Sequence, residues 1–238
     1  NRQFSEFKCD CTTMSFLPVY TPFKKPVVTG SFASSDGTSA SPNASSFTFS
    51  GVALGAAASN RHIVIAALTA TASAADANTV TVAGESASLV VRASGADNSR
   101  AELWIVALTS GTTGDVVITW SSAKDRCGYA AWAMYGANAS AHDTATDADT
   151  TPSFTIDVPA GGYLIAAATP TISGGSAVAT ATWTGVTENF DEAMNPGTAQ
   201  TGGSVALSDA ASGRTVSFSP SSSLALCAMS AASFEVAS

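Results

Sequence analysis

The chain has 238 residues, of which 45% are hydrophobic, and this is enough for a substantial core in one large or two small domains. Only 12% are charged, about half the usual share of about 25%, yet the hydrophobic content argues against intrinsic disorder. A net charge of −8 disfavours binding to nucleic acid or to an anionic membrane surface, and the longest apolar stretch, 62–75, is too short to span a bilayer.

Residues 1–43 are predicted to form an extended N-terminal arm that ends in a linker. They contain four prolines, and residues 30–43, GSFASSDGTSASPN, consist almost entirely of turn-forming residues. Three interpretations are open: the arm packs along its own domain, docks onto a neighbouring subunit, or is disordered. Docking is the hypothesis that we carry forward, because the arm holds large apolar side chains. The candidate docking residues are Phe4, Phe7, Phe16, Tyr20 and Phe23.

The arm also contains two cysteines, Cys9 and Cys11, separated by one aspartate. In an extended chain, side chains two residues apart point the same way, about 6.5–7 Å from each other. A bond between them would be strained, and a zinc site would need further ligands that are not nearby. Intermolecular disulfides, free thiols, and a metal or local bond remain as alternatives, and intermolecular bonding is the first hypothesis.

From residue 46 onward, short runs rich in Val, Ile, Thr and aromatic residues alternate with Gly, Asn, Asp and Ser. Runs of this length with turn signals between them predict an all-β sandwich or jelly-roll-like body over residues 44–238. No window shows a helical stripe. In the first half the predicted strands are 46–54, 62–68, 78–84, 88–94, 101–108, 115–121 and 127–136.

The second half of the body repeats the first, with repeats at about 46–140 and 153–236. Four segments return in the same order at offsets of 99 to 107 residues. The repeat predicts either two tandem sandwiches or one larger sandwich with pseudo-twofold halves, and the apolar ends of the body favour closely packed halves. The segments are SFTF (46–49) with SFTI (153–156), 62–73 with 163–173, 106–120 with 205–219, and 127–136 with 227–236.

The other two cysteines, Cys127 and Cys227, occupy equivalent places in the repeats, at the start of an Ala-rich apolar strand. Both are predicted to be reduced core residues. A bond between them would require the two Cα atoms to lie within about 7 Å.

No catalytic or metal-binding motif accompanies the two histidines, His62 and His142. The aspartates of the 137–157 region lack the layout of an EF-hand, so a solvated connector is expected there. The segment 182–197 is expected to be an acidic loop, whose carboxylates could cleave a glycosidic bond only within a cleft. Trp183 and Phe190 would form a sugar-binding platform only if they shared one exposed face of this loop.

Three segments of the body are NTVTVAGESASLVV (78–91), TSGTTGDVVITWS (109–121) and VPAGGYLIAAA (158–168). They resemble segments of accessory β-sandwich proteins in the virions of tailed bacteriophages of α-proteobacteria. The resemblance covers roughly residues 46–236 and implies a capsid decoration, minor capsid, collar or fibre component, in the extracellular particle and assembled in the host cytoplasm. It transfers no site residues.

We therefore expect a structural protein that is not an enzyme and uses no cofactor. Its expected partners are other virion proteins, such as the major capsid protein, a neck protein or copies of itself in a homo-oligomer, and neither nucleic acid nor a membrane. The alternative hypothesis is a carbohydrate-binding or adhesive module.

Overall fold

The computed structural model describes residues 26–70, 76–96, 98–172, 181–195, 197–221 and 223–238. The all-β prediction is confirmed: the described residues form fifteen strands and no helix, and none of them belongs to a helix that could cross a membrane. The strands are β1 (Thr29–Ala53), β2 (Arg61–Thr69), β3 (Ala77–Val82), β4 (Glu85–Ser86), β5 (Ser88–Ser94), β6 (Arg100–Ala107), β7 (Thr113–Tyr135), β8 (Asp143–Asp147), β9 (Ser153–Val158), β10 (Tyr163–Ile172), β11 (Ala181–Thr184), β12 (Thr187–Asn195), β13 (Thr198–Ala206), β14 (Ala211–Pro220) and β15 (Leu224–Phe234).

In the first half, two long strands each contribute to two layers. The order is β4-β3-β7-β2-β6-β5, and β1 pairs with β7 along most of its length. The last part of β7 pairs with β2, whereas its first part pairs with β3. The side chains of that first part, including Val116 and Ile118, pack in one core with Ile63 and Ile65 of β2. The sheet therefore folds over on itself into an inner layer and an outer layer.

The second half has the same plan, built from shorter strands. Its inner sheet is β12-β13-β10-β15-β8 and its outer sheet is β11-β14-β9. Strands β8 and β9 take the places of the two parts of β1, and β14 and β15 take those of β7. The pairing register follows the sequence repeat, since His62 faces Ala107 in the first half and the aligned Tyr163 faces Ala206 in the second.

The two inner sheets pack against each other through a shared central core. In β2, Val64 points into that core while Ile63 points into the core of its own half. In β10, Ile165 likewise points into the shared central core, while Leu164 points into the core of the second half. Strands buried on both faces need continuous apolar side chains, which explains why 62–68 and 163–169 do not alternate. The three sheets of the body thus stack as four layers around three cores.

The structure differs from the sequence prediction in the segment 30–43. These residues were expected to form a linker, but they belong to β1, whose first part pairs with the last part of β7. The β7 backbone supplies the hydrogen bonds that the composition of this segment does not predict. The small residues also serve packing, because a Cβ on Gly30 would lie 2.4 Å from Cζ of Tyr163. The two halves approach each other closely here, and this favours small residues such as Gly30. The same small residues led to the prediction of a linker.

Candidate functional site

The two body cysteines lie in separate cores. Cys127 and Cys227 are both fully buried and form no disulfide among the described residues, and they lie in the cores of the first and second half respectively. Burial raises the pKa of the Cys127 thiol to about 12, and Trp120 Nε1 donates to its sulfur at 3.4 Å. Neither thiol is placed for chemistry at the surface. Cys9 and Cys11 lie outside the described residues, as do Phe4, Phe7, Phe16, Tyr20 and Phe23.

His62 lines a shallow cleft of about 290 Å³ between β2 and the start of the connector. Burial lowers the pKa of its imidazole, and its buried Nδ1 has no hydrogen-bond partner among the described residues. The cleft is lined by small side chains such as Ser88 and Ser140, and its lining contains no carboxylate. A general base needs an orienting partner and a nucleophile, and this cleft brings no such set together.

The aspartates near the connector fasten the backbone. Asp147 accepts from the amide of Ser153 at 2.7 Å. Asp143 accepts from the amide of Asp157 at 2.8 Å, and Asp157 in turn accepts from the amide of Gly213. That last bond holds the pKa of the Asp157 carboxyl below its ordinary value. Among the described residues no group of three or more His, Cys, Asp or Glu side chains could hold a metal ion.

Segment 182–197 is not a loop: it contains most of β11 and all of β12, which belong to two different sheets. Trp183 is buried in the core of the second half, against Phe218, and donates to Thr201 Oγ1 at 2.8 Å. Phe190 lies in the central core instead, stacked on Phe32 at 5.7 Å. The two rings therefore face different cores and do not form a common sugar-binding surface.

A buried ionic cluster in the first half has no signature in the sequence. Glu102 is fully buried and accepts from Arg92 at 2.8 Å, from the amide of Ala77 at 3.0 Å and from Trp104 Nε1 at 2.9 Å. Asp76 bonds Arg92 and also Arg100. Buried charges are tolerated only when they are paired and hydrogen-bonded in this way.

The repeat shows that this cluster is structural. In the second half, Asp191 and Thr201 face each other across β12 and β13, as Arg92 and Glu102 do across β5 and β6. Asp191 accepts from the amide of Ala181, the first residue of β11, at 2.7 Å. The corresponding amide at the start of β3 is bound by Glu102. In each half a carboxylate therefore anchors an outer strand to the inner sheet.

No lysine or arginine among the described residues is fully exposed. Arg61 is buried and donates five hydrogen bonds to backbone carbonyls. Arg100 and Lys124 are buried, and the other three cations are half-buried. Eight carboxylates, by contrast, are exposed. They are Asp36, Glu85, Asp115, Asp149, Asp157, Glu188, Asp209 and Glu235.

The distribution of charge along the chain sharpens this contrast. Residues 1–25 contain four of the ten lysines and arginines and two of the eighteen acidic residues, a net charge of +2, so that residues 26–238 carry −10. Comparison with known proteins adds nothing to these observations, since no family, no curated protein and no solved structure matches the chain.

Proposed function

We propose that this chain is a structural protein of a tailed-bacteriophage virion, which decorates or reinforces the capsid or neck and is attached through its N-terminal arm. The observation that carries the proposal is the contrast between two parts of the chain. The described part of residues 26–238 forms a stacked β body whose exposed charges are acidic. Residues 1–25 are basic, rich in aromatic residues, and contain Cys9 and Cys11.

The body has the properties of a rigid module. Its three sheets consist of antiparallel strands, and β1 and β7, which span 25 and 23 residues, join two of the four layers. The cleft lined by His62 holds no convergent set of catalytic groups among its described lining residues. An acidic surface suits a position on the outside of a particle, since it is repelled by packaged DNA. The resemblance of residues 46–236 to accessory virion proteins supports the same role.

The position of the body cysteines supports attachment by intermolecular disulfides. Cys127 and Cys227 are buried in β cores, so they are inaccessible to the arm of their own chain or of another. Cys9 and Cys11 can therefore form unstrained bonds only with cysteines of other arms or of other proteins. Under oxidising conditions such bonds would make the attachment of the particle's outer layer covalent.

Nonreducing electrophoresis of intact particles that contain this chain tests the proposal. We expect a species of higher mass that contains the chain, disappears on reduction, and is absent when Cys9 and Cys11 are both changed to Ser. Mass spectrometry of that band identifies the partner. The Cys127→Ser variant serves as the control and should retain the band. Recovery of the chain only as a monomer would refute covalent attachment, and its absence from purified particles would refute the virion role.

A further inference from the structure

One side of the body exposes two unpaired strand edges next to each other. β1 is the end strand of the first inner sheet and β12 is the end strand of the second, and in the described part of the chain neither has a partner on its outer side. The two are held together by the stacking of Phe32 on Phe190 and by a hydrogen bond from Ser35 to Glu192. We call this surface, residues 31–37 of β1 and 187–193 of β12, the acidic edge.

Four carboxylates line the acidic edge. Asp36 and Glu188 are exposed, and Asp191 and Glu192 are half-buried. Burial raises the pKa of Asp191, and the charge of Glu192 raises it further; burial and the charge of Asp191 raise that of Glu188. No ion pair involving any of the four is found among the described residues. The edge therefore concentrates negative charge that no ion pair among the described residues neutralises.

An open strand edge accepts another strand by backbone hydrogen bonding. Two acidic edges repel each other, so direct pairing of two bodies through this surface is disfavoured. A basic extended segment, in contrast, is attracted by the carboxylates and can satisfy the free backbone groups. Half-buried Phe32, between the two strands, adds an apolar contact for an aromatic side chain.

Residues 1–25 have the composition that fits this surface. They place a lysine directly after an aromatic residue twice, at Phe7-Lys8 and at Phe23-Lys24. Fully extended, 25 residues reach about 80 Å, which is enough to cross to a neighbouring body.

The point where the arm joins the body favours a neighbour over the same chain. Val28 is buried, and its amide donates to the carbonyl of Gly161 at 2.7 Å. This bond directs residues 26–28 toward the loop between β9 and β10. An arm that paired with its own β1 would have to reverse direction in the residues before Pro26, whereas pairing with the edge of a neighbour requires no such reversal.

We propose that the acidic edge of one copy binds the N-terminal arm of a second copy as an added strand, with the lysines of the arm against the carboxylates of β1 and β12. This inference rests on the proposed attachment through the arm and names its partner as another copy of the chain. The result is a homo-oligomer in which each body is both donor and acceptor of an arm.

Cross-linking between chains that carry different isotope labels tests the inference directly. Full-length chains labelled with ¹⁴N and ¹⁵N are mixed at low ionic strength and treated with a carbodiimide, which joins a lysine to a carboxylate in direct contact. We expect linked peptides of mixed isotope composition that join Lys8, Lys24 or Lys25 to the carboxylates of the acidic edge. Links within one isotope only would show that the arm binds its own body and would overturn the inference, as would links chiefly to the aspartates of 143–157.

Charge reversal gives a second, independent measurement. In sedimentation experiments the dissociation constant for self-association of the Asp36→Lys/Glu188→Lys double variant should be at least about tenfold higher than that of the unmodified chain. The matched control, Asp149→Lys/Asp209→Lys, changes two equally exposed carboxylates elsewhere and should leave the association unchanged. Equal effects of both variants would overturn the inference. If particles carry the disulfide-linked species while purified chains show no arm links, the proposed function stands and this inference alone fails.

Discussion

Gly30 on β1 lies directly against the ring of Tyr163 on β10, so that a Cβ at position 30 would come within 2.4 Å of Cζ. The contact joins the two halves, and the ring is held in place because the Tyr163 hydroxyl donates to Ser204 at 2.8 Å. The glycine therefore sets the distance between the first inner sheet and the second.

We expect Gly30→Ala to lower the free energy of unfolding by about 1–3 kcal/mol, because the methyl group forces the sheets or the ring to move. Chemical denaturation measures the change. The exposed neighbour Ser31 provides the control, and Ser31→Ala should have little effect. In a Tyr163→Leu background, the alanine should cost measurably less, since the atoms that it meets are gone. An equal cost in both backgrounds would show that the glycine acts through its backbone instead.

The same contact shows what the sequence could and could not predict. The sequence predicts the strands and their repeat because β2 and β10 are apolar runs between turn-forming residues. The pairing register of β2 and β10 with their neighbouring strands follows the alignment of the two repeats. The first part of β1 was missed because Ser, Gly and Asp have low strand propensity. Its structure depends on a partner, β7, that lies about a hundred residues away in sequence and on the room that Tyr163 requires.

The candidate functional surfaces were less predictable than the strands. The acidic edge combines Asp36 with three carboxylates of β12, and only the packing of the two halves brings them together. Likewise, Glu102 lies within the apolar run of β6, and nothing adjacent in sequence indicates its partners Arg92 and the amide of Ala77. The local pattern reports which faces are buried, whereas convergence of distant polar groups is a property of the tertiary fold.

Replacing Glu102 should be among the most damaging single changes in the body. Glu102→Gln removes a fully buried charge that Arg92 and the amide of Ala77 require, so we expect a loss of about 3–5 kcal/mol in unfolding free energy. Glu85→Gln, an exposed glutamate on β4, is the matched control and should change stability by less than about 0.5 kcal/mol. A Glu102→Gln variant as stable as the control would mean that the cluster is dispensable.

Substitution of Trp183 distinguishes a role in core packing from a role in sugar recognition. Its indole is buried against Phe218 and donates to Thr201, so Trp183→Ala should cost about 3–5 kcal/mol and Trp183→Phe clearly less. Thermal unfolding and glycan-array binding, measured on the same preparations, distinguish the roles. Loss of a specific glycan signal in a fully stable Trp183→Ala protein would favour the carbohydrate-binding hypothesis over the structural one.

The thiols of Cys127 and Cys227 should not react with thiol reagents until the protein unfolds. In a Cys9→Ser/Cys11→Ser variant, a thiol reagent at pH 8 should label neither Cys127 nor Cys227 in native buffer, because both are fully buried. In denaturant both should react. Rapid labelling of the native protein would show that a core opens readily, and it would weaken the argument that attachment uses only the arm cysteines.

Lys124 should make stability depend on pH in the alkaline range. Burial, followed by the charge of Arg100, lowers the pKa of its ammonium group from 10.5 to about 8. Between these values the folded protein binds fewer protons than the unfolded chain, so the contribution of Lys124 to the free energy of unfolding rises as pH increases from about 8 to 10.5.

The Lys124→Met variant isolates this contribution from other titrating groups. We expect the stability of the variant relative to the unmodified protein to be greatest below pH 8 and to decline toward pH 10.5. Lys124→Arg, which stays charged in the folded and the unfolded state, should show the same decline relative to the unmodified protein, because neither variant titrates at position 124 in this range. Urea denaturation at half-unit pH intervals gives both curves. A difference between the Met variant and the unmodified protein that is constant across this range would show that the ammonium group is as well accommodated in the fold as in water, through its position 5.6 Å from the centre of the Trp120 ring and its neighbouring carboxylates.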